Sequence, residues 1–232
     1  MRCIGIIGAM EEEVAALKEK MQDIKITQRA SMDFYEGSLE GKKVVVVKSG
    51  IGKVNAGLCT QILVDLFEVE AVINTGIAGC LHPDVNIGDI VVSTDLVHHD
   101  MDAVGFGYPK GQIPRMDTLA FTADENLRAL AVKVCREVNP DIQVFEGRIT
   151  TGDQFISDQA VKDRIVNEFG GYATEMEGAA IGQAAYLNGI PFLVIRAISD
   201  KADGSAPTDY SAFEAKAIDH SVKLTHRMVQ EL

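Results

Sequence analysis

Nowhere along its 232 residues does the sequence carry a run of lysine or arginine, and its charge is one-sided: 22 basic against 34 acidic residues, a net −12. Such a chain has no broad basic face with which to hold nucleic acid or an anionic membrane, while a small polar or neutral substrate stays open to it. No cysteine pair has C-x-x-C spacing; Cys3, Cys59, Cys80 and Cys135 are scattered. That argues against a metal site or a disulfide framework and for buried or incidental thiols in a reducing compartment. No stretch approaches the ~20 apolar residues that span a bilayer. The apolar run at the N-terminus is short and meets Glu11, Glu12 and Glu13, so it reads as a first strand rather than a signal peptide. A cytoplasmic protein is expected. Repeats, low-complexity segments and linkers are also missing, which leaves one domain over residues 1–232, long enough for a real core.

What is present is an ordinary globular composition, 47% hydrophobic and 24% charged. Cys3 to Ala9 reads as a buried strand running into a helix from Glu11 to Met21. Ile24 to Arg29, Met32 to Leu39 and Lys43 to Ser49 read as strands, and Gly50-Ile51-Gly52-Lys53 opens a helix to about Phe67. Ala71 to Thr75 is a short strand ending in Gly76-Ile77-Ala78-Gly79, and Gly88 to Val97 is another. The Gly/Pro-rich stretch from His98 to Thr122 is about 25 residues without periodicity, a length usually functional or interfacial. Helix follows over Ala123 to Val138, strand over Gln143 to Thr150, and helix over Asp158 to Glu168. Met176 to Leu187 is an Ala-rich helix stopped by Asn188-Gly189; Ile190 to Ser199 is an apolar strand without polar alternation, and Asp209 to Gln230 is a last helix. A strand of that kind is covered on both faces, as in a three-layer α/β/α protein with a central mixed, twisted sheet. Ligands of open α/β sheets gather at carboxyl ends of strands, where Ser199-Asp200 sits.

Single motifs are ambiguous. Gly50-Ile51-Gly52-Lys53 fails the phosphate-loop spacing, because Val47 and Val54 stand where Gly and Ser/Thr are needed. It reads as a tight strand-to-helix turn. Gly5-Ile6-Ile7-Gly8 likewise lacks the dinucleotide-binding spacing. Glu11, Glu12 and Glu13 can serve the helix dipole at roughly 0.3–1 kcal/mol each, with at most one or two turned toward a pocket. Glu177 fits a capping box with Thr174 and equally fits a site, in the Glu175-Met176-Glu177 mouth of its helix. Asp200 suits a site or a turn. His98-His99-Asp100 with Asp102 reads as a solvated loop rather than a metal cluster.

The ordered set is more specific. Gly8-Ala9-Met10-Glu11-Glu12-Glu13-Val14, Ser49-Gly50-Ile51-Gly52-Lys53-Val54-Asn55-Ala56, Asn74-Thr75-Gly76, Gly88-Asp89-Ile90-Val91-Val92-Ser93, Thr151-Gly152-Asp153, Glu175-Met176-Glu177-Gly178-Ala179-Ala180 and Arg196-Ala197-Ile198-Ser199-Asp200 follow one another along nearly the whole chain. Together they resemble the 5′-methylthioadenosine/S-adenosylhomocysteine nucleosidases of the purine nucleoside phosphorylase superfamily. The resemblance implies hydrolysis of the N-glycosidic bond of a 5′-substituted adenosine, without metal or cofactor. It implies Asp200 as the acid at adenine N7, Glu13 as the carboxylate that activates water, and Glu177, with Met176, at the ribose. Phe155, Ile156 and Ser199 are implied at adenine, and Met10, Ile51 and Tyr210 at the 5′ group. Phe106, Tyr108 and Pro114 are implied to close that pocket from the other subunit of a homodimer. Arg196 and Glu175 are implied behind the carboxylates. The chain departs from the pattern at Ile77, where the family commonly has Ser, at Cys80 in place of a second Gly, in Ala202 to Asp209, and at Tyr210, where Phe is commoner.

Three rivals remain. Phosphorolysis wants arginines for a phosphate dianion, and the chain offers Met10-Glu11-Glu12-Glu13 and Asn74 at the corresponding places. A nucleoside-binding module without catalysis would have no need of all three carboxylates. Futalosine, a bulkier 5′-substituted nucleoside, stays open as a substrate.

Overall fold

The computed structural model describes residues 3–232. Four strands read from their apolar runs lie side by side and parallel: β4 (Lys42–Lys48), β1 (Ile4–Gly8), β5 (Ala71–Cys80) and β10 (Phe192–Asp200). Every residue of β1, β5 and β10 is buried, as strands covered on both faces must be. β3 (Met32–Leu39) and β2 (Gln22–Arg29) extend the sheet antiparallel beyond β4.

On the other side the sheet curls. β10 pairs antiparallel with β6 (Ile90–His98), β6 parallel with β8 (Val144–Thr151), and β8 parallel with β9 (Ala173–Glu175). β9 then returns antiparallel to β5, at Gly79↔Thr174 and Cys80↔Ala173. Five strands thus close a ring, and the short β7 (Phe121–Thr122) is appended to β6. The fold is mixed α/β with a central mixed sheet, as expected; the ring closure is added to it. α2 (Lys53–Phe67) packs on α5 (Gly178–Asn188), while α6 (Ala206–Glu231) lies along β10 and β5 beside α3 (Glu125–Val138). α1 (Ala15–Lys20) follows β1, and α4 (Gln159–Phe169) leads toward β9.

Several local expectations are corrected. The first helix begins at Ala15 rather than Glu11. Residues 11–14 form a turn closed by the Val14 and Ala15 N–H groups on the Glu11 carbonyl, and this turn swings Glu13 inward. β5 does not stop at Thr75 but runs through Gly76–Gly79. A Cβ on Gly76 would come within 2.6 Å of Glu13 Oε1, and one on Gly79 within 2.9 Å of Asp200 Oδ1. These glycines are room for side chains of neighbouring elements, not a strand terminator. His98 and His99 are buried at 4% and 3% exposure rather than solvated. His98 Nε2 lies 3.1 Å from Gln183 Oε1, and the His99 ring packs against Gly152. Burial pushes both imidazoles below their ordinary pKa, toward the neutral form. Within the long loop, residues Val104–Phe106 form one 3-10 turn. α6 starts at Ala206, with Pro207 in its first turn, three residues before the expected Asp209.

Candidate active site

The carboxyl ends of β1, β5, β9 and β10 open into one cavity of about 480 Å³. Glu13, Glu177 and Asp200 all line it, from three segments far apart in sequence.

Glu13 sits on the turn after β1, and its carboxylate is held by backbone alone. Oε2 accepts from the Ala9 and Met10 N–H groups at 2.7 and 2.9 Å, and Oε1 accepts from Ile77 N–H at 3.2 Å. Burial nevertheless raises its pKa, with the Arg196 guanidinium and the three N–H groups working against that rise.

Glu177 stands at the N-cap of α5 but does not cap it, so the capping box with Thr174 does not form. Its Oε1 reaches across to accept from Gly52 N–H at 2.8 Å. Glu175, the last residue of β9, takes the capping role instead. Its Oε2 accepts from the N–H groups of Glu177 and Gly178 at 3.1 and 2.7 Å and from Arg196 Nη2; its Oε1 accepts from the Thr151 hydroxyl. Arg196, 1% exposed, lies behind the cavity wall, bonded to Glu175 and Asn74 and 3.8 Å from Glu177 Oε2. Burial, with Glu175 beside it, pushes Glu177 up to about 7.

Asp200 ends β10 with 2% exposure. Its Oδ2 accepts from the Ser199 hydroxyl and its Oδ1 from Ala202 N–H, each at 2.8 Å. Burial raises its pKa; these two donors oppose the rise, and Asp209 and Asp203 add to it. Although position 77 carries no serine, Asp200 has a hydroxyl donor in Ser199. Ile77 faces the cavity, whereas Cys80 turns its thiol to the His82 and Val85 carbonyls.

Around these acids the walls are apolar. Met10, Ile51, Met176 and Ile156 line the cavity, as do the aromatic rings of Phe155 and Tyr210, which meet edge to face at 6.0 Å. Tyr210 donates to Glu214 Oε1 at 2.8 Å, with Met10 Sδ 3.5 Å from its hydroxyl. Burial and Glu214 raise its pKa. Phe106, Tyr108 and Pro114 do not reach this cavity; Phe106 is 85% exposed, and the Tyr108 hydroxyl accepts from Arg115 N–H. Sequence reasoning assigned no role to Asn74, Thr151 or Gly52, although each lies inside a quoted motif. Among the described residues, no lysine, arginine or histidine lines the cavity.

A mixed α/β sheet with buried acids gathered at its strand ends defines a class, and the Phosphorylase superfamily model matches residues 3–232: the chain belongs to that superfamily. Its relatives there are 5′-methylthioadenosine/S-adenosylhomocysteine nucleosidases, and it falls within their family. It is 48% identical over 230 residues to the one from Anoxybacillus flavithermus, covering 99% of this chain and 98% of that one. It is 43% identical over 233 residues to one from Bacillus cereus, covering 99% of each. The solved nucleosidase of Colwellia psychrerythraea, in complex with adenine, has a TM-score of 0.95 at 43% identity, covering 100% of this chain and 96% of that one. The futalosine hydrolase of Helicobacter pylori has a TM-score of 0.94 at 37% identity, covering 100% and 98%.

Proposed function

We propose that the chain, acting as one domain over residues 1–232, hydrolyses the N-glycosidic bond of 5′-methylthioadenosine, S-adenosylhomocysteine and related 5′-substituted adenosines, releasing adenine. The observation that carries this reading is the convergence of Glu13, Glu177 and Asp200, all buried, on one cavity with no cationic side chain in its wall among the described residues.

The chemistry sets their roles. Adenine leaves poorly as an anion, so Asp200 delivers a proton to N7 while the C1′–N9 electron pair passes into the purine. An acid useful near neutral pH must hold its proton better than a free Asp, with a pKa of ~3.9; burial at the end of β10 works in that direction. The sugar becomes oxocarbenium-like. Water held by Glu13 attacks C1′ and gives its proton to that carboxylate, leaving a free pentose, adenine, ionised Asp200 and protonated Glu13; proton exchange with solvent resets both. Glu177 accepts from the ribose hydroxyls, and its negative charge supports the sugar cation. Phe155 stacks on adenine, with Ile156 and Ser199 at its edge; Met176 packs on the ribose, and Met10, Ile51 and Tyr210 surround the 5′ group. Arg196 and Glu175 orient these groups from behind. The working unit is a homodimer in which Phe106, Tyr108 and Pro114 of the partner subunit close the 5′ pocket; the exposure of Phe106 supports this. Four free, buried cysteines fit the cytoplasm.

Phosphorolysis is disfavoured because a phosphate dianion would meet carboxylates and, among the described residues, no cation lining the cavity. Futalosine hydrolysis is the second reading, favoured by the likeness to the Helicobacter pylori enzyme and by half-exposed Ile51 and Phe155 at the rim. The test is kcat/KM for the methylthio, homocysteinyl, deoxy and futalosine nucleosides in phosphate-free buffer. Adenine release independent of added phosphate is expected; release that requires phosphate, or none from any of the adenosines, overturns the reading.

A further inference from the structure

The turn that enters α2 has no side-chain cap, and two of its residues, Gly50 and Gly52, hold φ at 83° and 97°, a backbone that needs glycine. Its two leading amides point at two different carboxylates. Gly52 N–H donates to Glu177 at 2.8 Å, and Lys53 N–H donates to Asp153 Oδ1 at 2.9 Å. The side chain of the same lysine reaches Asp100, with Nζ 2.6 and 2.8 Å from its two oxygens. Asp100 Oδ2 also accepts from Asp153 N–H at 3.0 Å. Three residues separated by 47, 53 and 100 positions therefore close a ring of bonds. The Lys53 and Asp100 side chains are only 20% and 18% exposed, so the pair is weakly screened. Burial alone would raise Asp100, yet the Lys53 ammonium and the Asp153 N–H hold it below its ordinary value.

We propose that Lys53, Asp100 and Asp153 are positioning residues that lock the glycine turn so that the Gly52 amide stays on Glu177 and aims that carboxylate at the ribose hydroxyls. This deepens the nucleosidase reading and rests on it for the role of Glu177. The groups facing Glu177 are Glu175 at the end of β9, Arg196 on β10, Glu13 after β1, and the Gly52 amide. The first and third disfavour its charge, and the other two favour it. Removing the amide tips that balance toward the neutral acid, because a hydrogen bond to the charged form is what lowers a carboxyl pKa.

The test uses Lys53→Met and the isosteric Asp100→Asn, with Lys53→Arg as the conservative rescue. Either loss is expected to lower kcat/KM for 5′-methylthioadenosine about 10-fold near pH 6 and to move the acid limb of its pH profile upward by about one unit. Discrimination between the ribose substrate and its 2′-deoxy analogue should shrink, since only the former uses the clamp; Lys53→Arg should restore all three. A carboxyl NMR titration of Glu177 in the free protein reads the same lock without turnover, and its midpoint should rise in both variants. A folded variant whose Glu177 midpoint, acid limb and ribose discrimination all match wild type overturns the lock while leaving the hydrolase reading intact. A wild type that releases no adenine overturns the hydrolase reading, and the NMR titration still decides the lock.

Discussion

At the floor of the cavity, Glu13, Glu177 and Asp200 are 3%, 5% and 2% exposed, and each is already held by an N–H or hydroxyl donor. At its rim, Ile51 and Phe155 are 54% and 51% exposed and present apolar side chains. The floor is held by the protein's own donors, at a cost in desolvation that raises the pKa of all three acids. On the proposed reading, the base and the 5′ group complete the rim. Floor changes should therefore act on the chemical step, and rim changes on binding.

The largest effect is expected from Asp200→Asn, which keeps shape and removes the proton: kcat falls about 10²–10⁴-fold with KM little changed, as measured by adenine release. A comparable loss in KM alone would dissolve the distinction between floor and rim. Gly76→Ala should come next although it removes no polar group. Its Cβ would sit 2.6 Å from Glu13 Oε1 and 3.2 Å from Arg196 Nη1, and displacing a reacting group by about 1 Å can cost about 10²-fold. Phe155→Ala should raise KM about 10-fold, from lost stacking on the base, with kcat nearly kept.

Smaller effects sharpen the contrast through stability. Each floor acid has a folded-state pKa above its unfolded value, so its contribution is complete below the unfolded pKa and is lost as pH rises through the folded one. For Glu177 that window runs from its ordinary 4.5 up to about 7. Glu177→Gln should therefore raise Tm at pH 8 by about 2–4 °C, roughly 1 kcal/mol for a domain of this size, and by less at pH 5; calorimetry at the two pH values checks it. Tyr210→Phe, at the rim, should be smallest, changing kcat/KM for methylthioadenosine by about 3-fold or less, since only its bonds to Glu214 and Met10 are lost.

Whatever depended on local pattern was legible in the sequence. The unbroken apolar run before Asp200 is a wholly buried strand, and the motifs holding Glu13, Ile51, Glu177 and Asp200 send side chains into one cavity although they are scattered along the chain. What failed to read depends on partners distant in sequence. Thr174 and Glu177 have capping-box spacing, yet Glu177 is drawn to Gly52, 125 positions away, and Glu175 caps the helix. Gly76–Gly79 resembles a strand end because nothing local reveals that Glu13 and Asp200 press on it. The three-residue β9 is too short for any periodicity, and it is the strand that closes the ring. His98 and His99 read as wet because their neighbours are polar and glycine-rich, whereas Gln183 and Gly152 cover them.

The cavity wall begins at Ala9 and is not complete until Tyr210 on the last helix. A polypeptide ending before α6 would carry all three acids yet lack the part of the wall that Pro207 and Tyr210 supply. Enclosure of the pocket is thus finished by the last helix of the chain, although its acids are all supplied earlier.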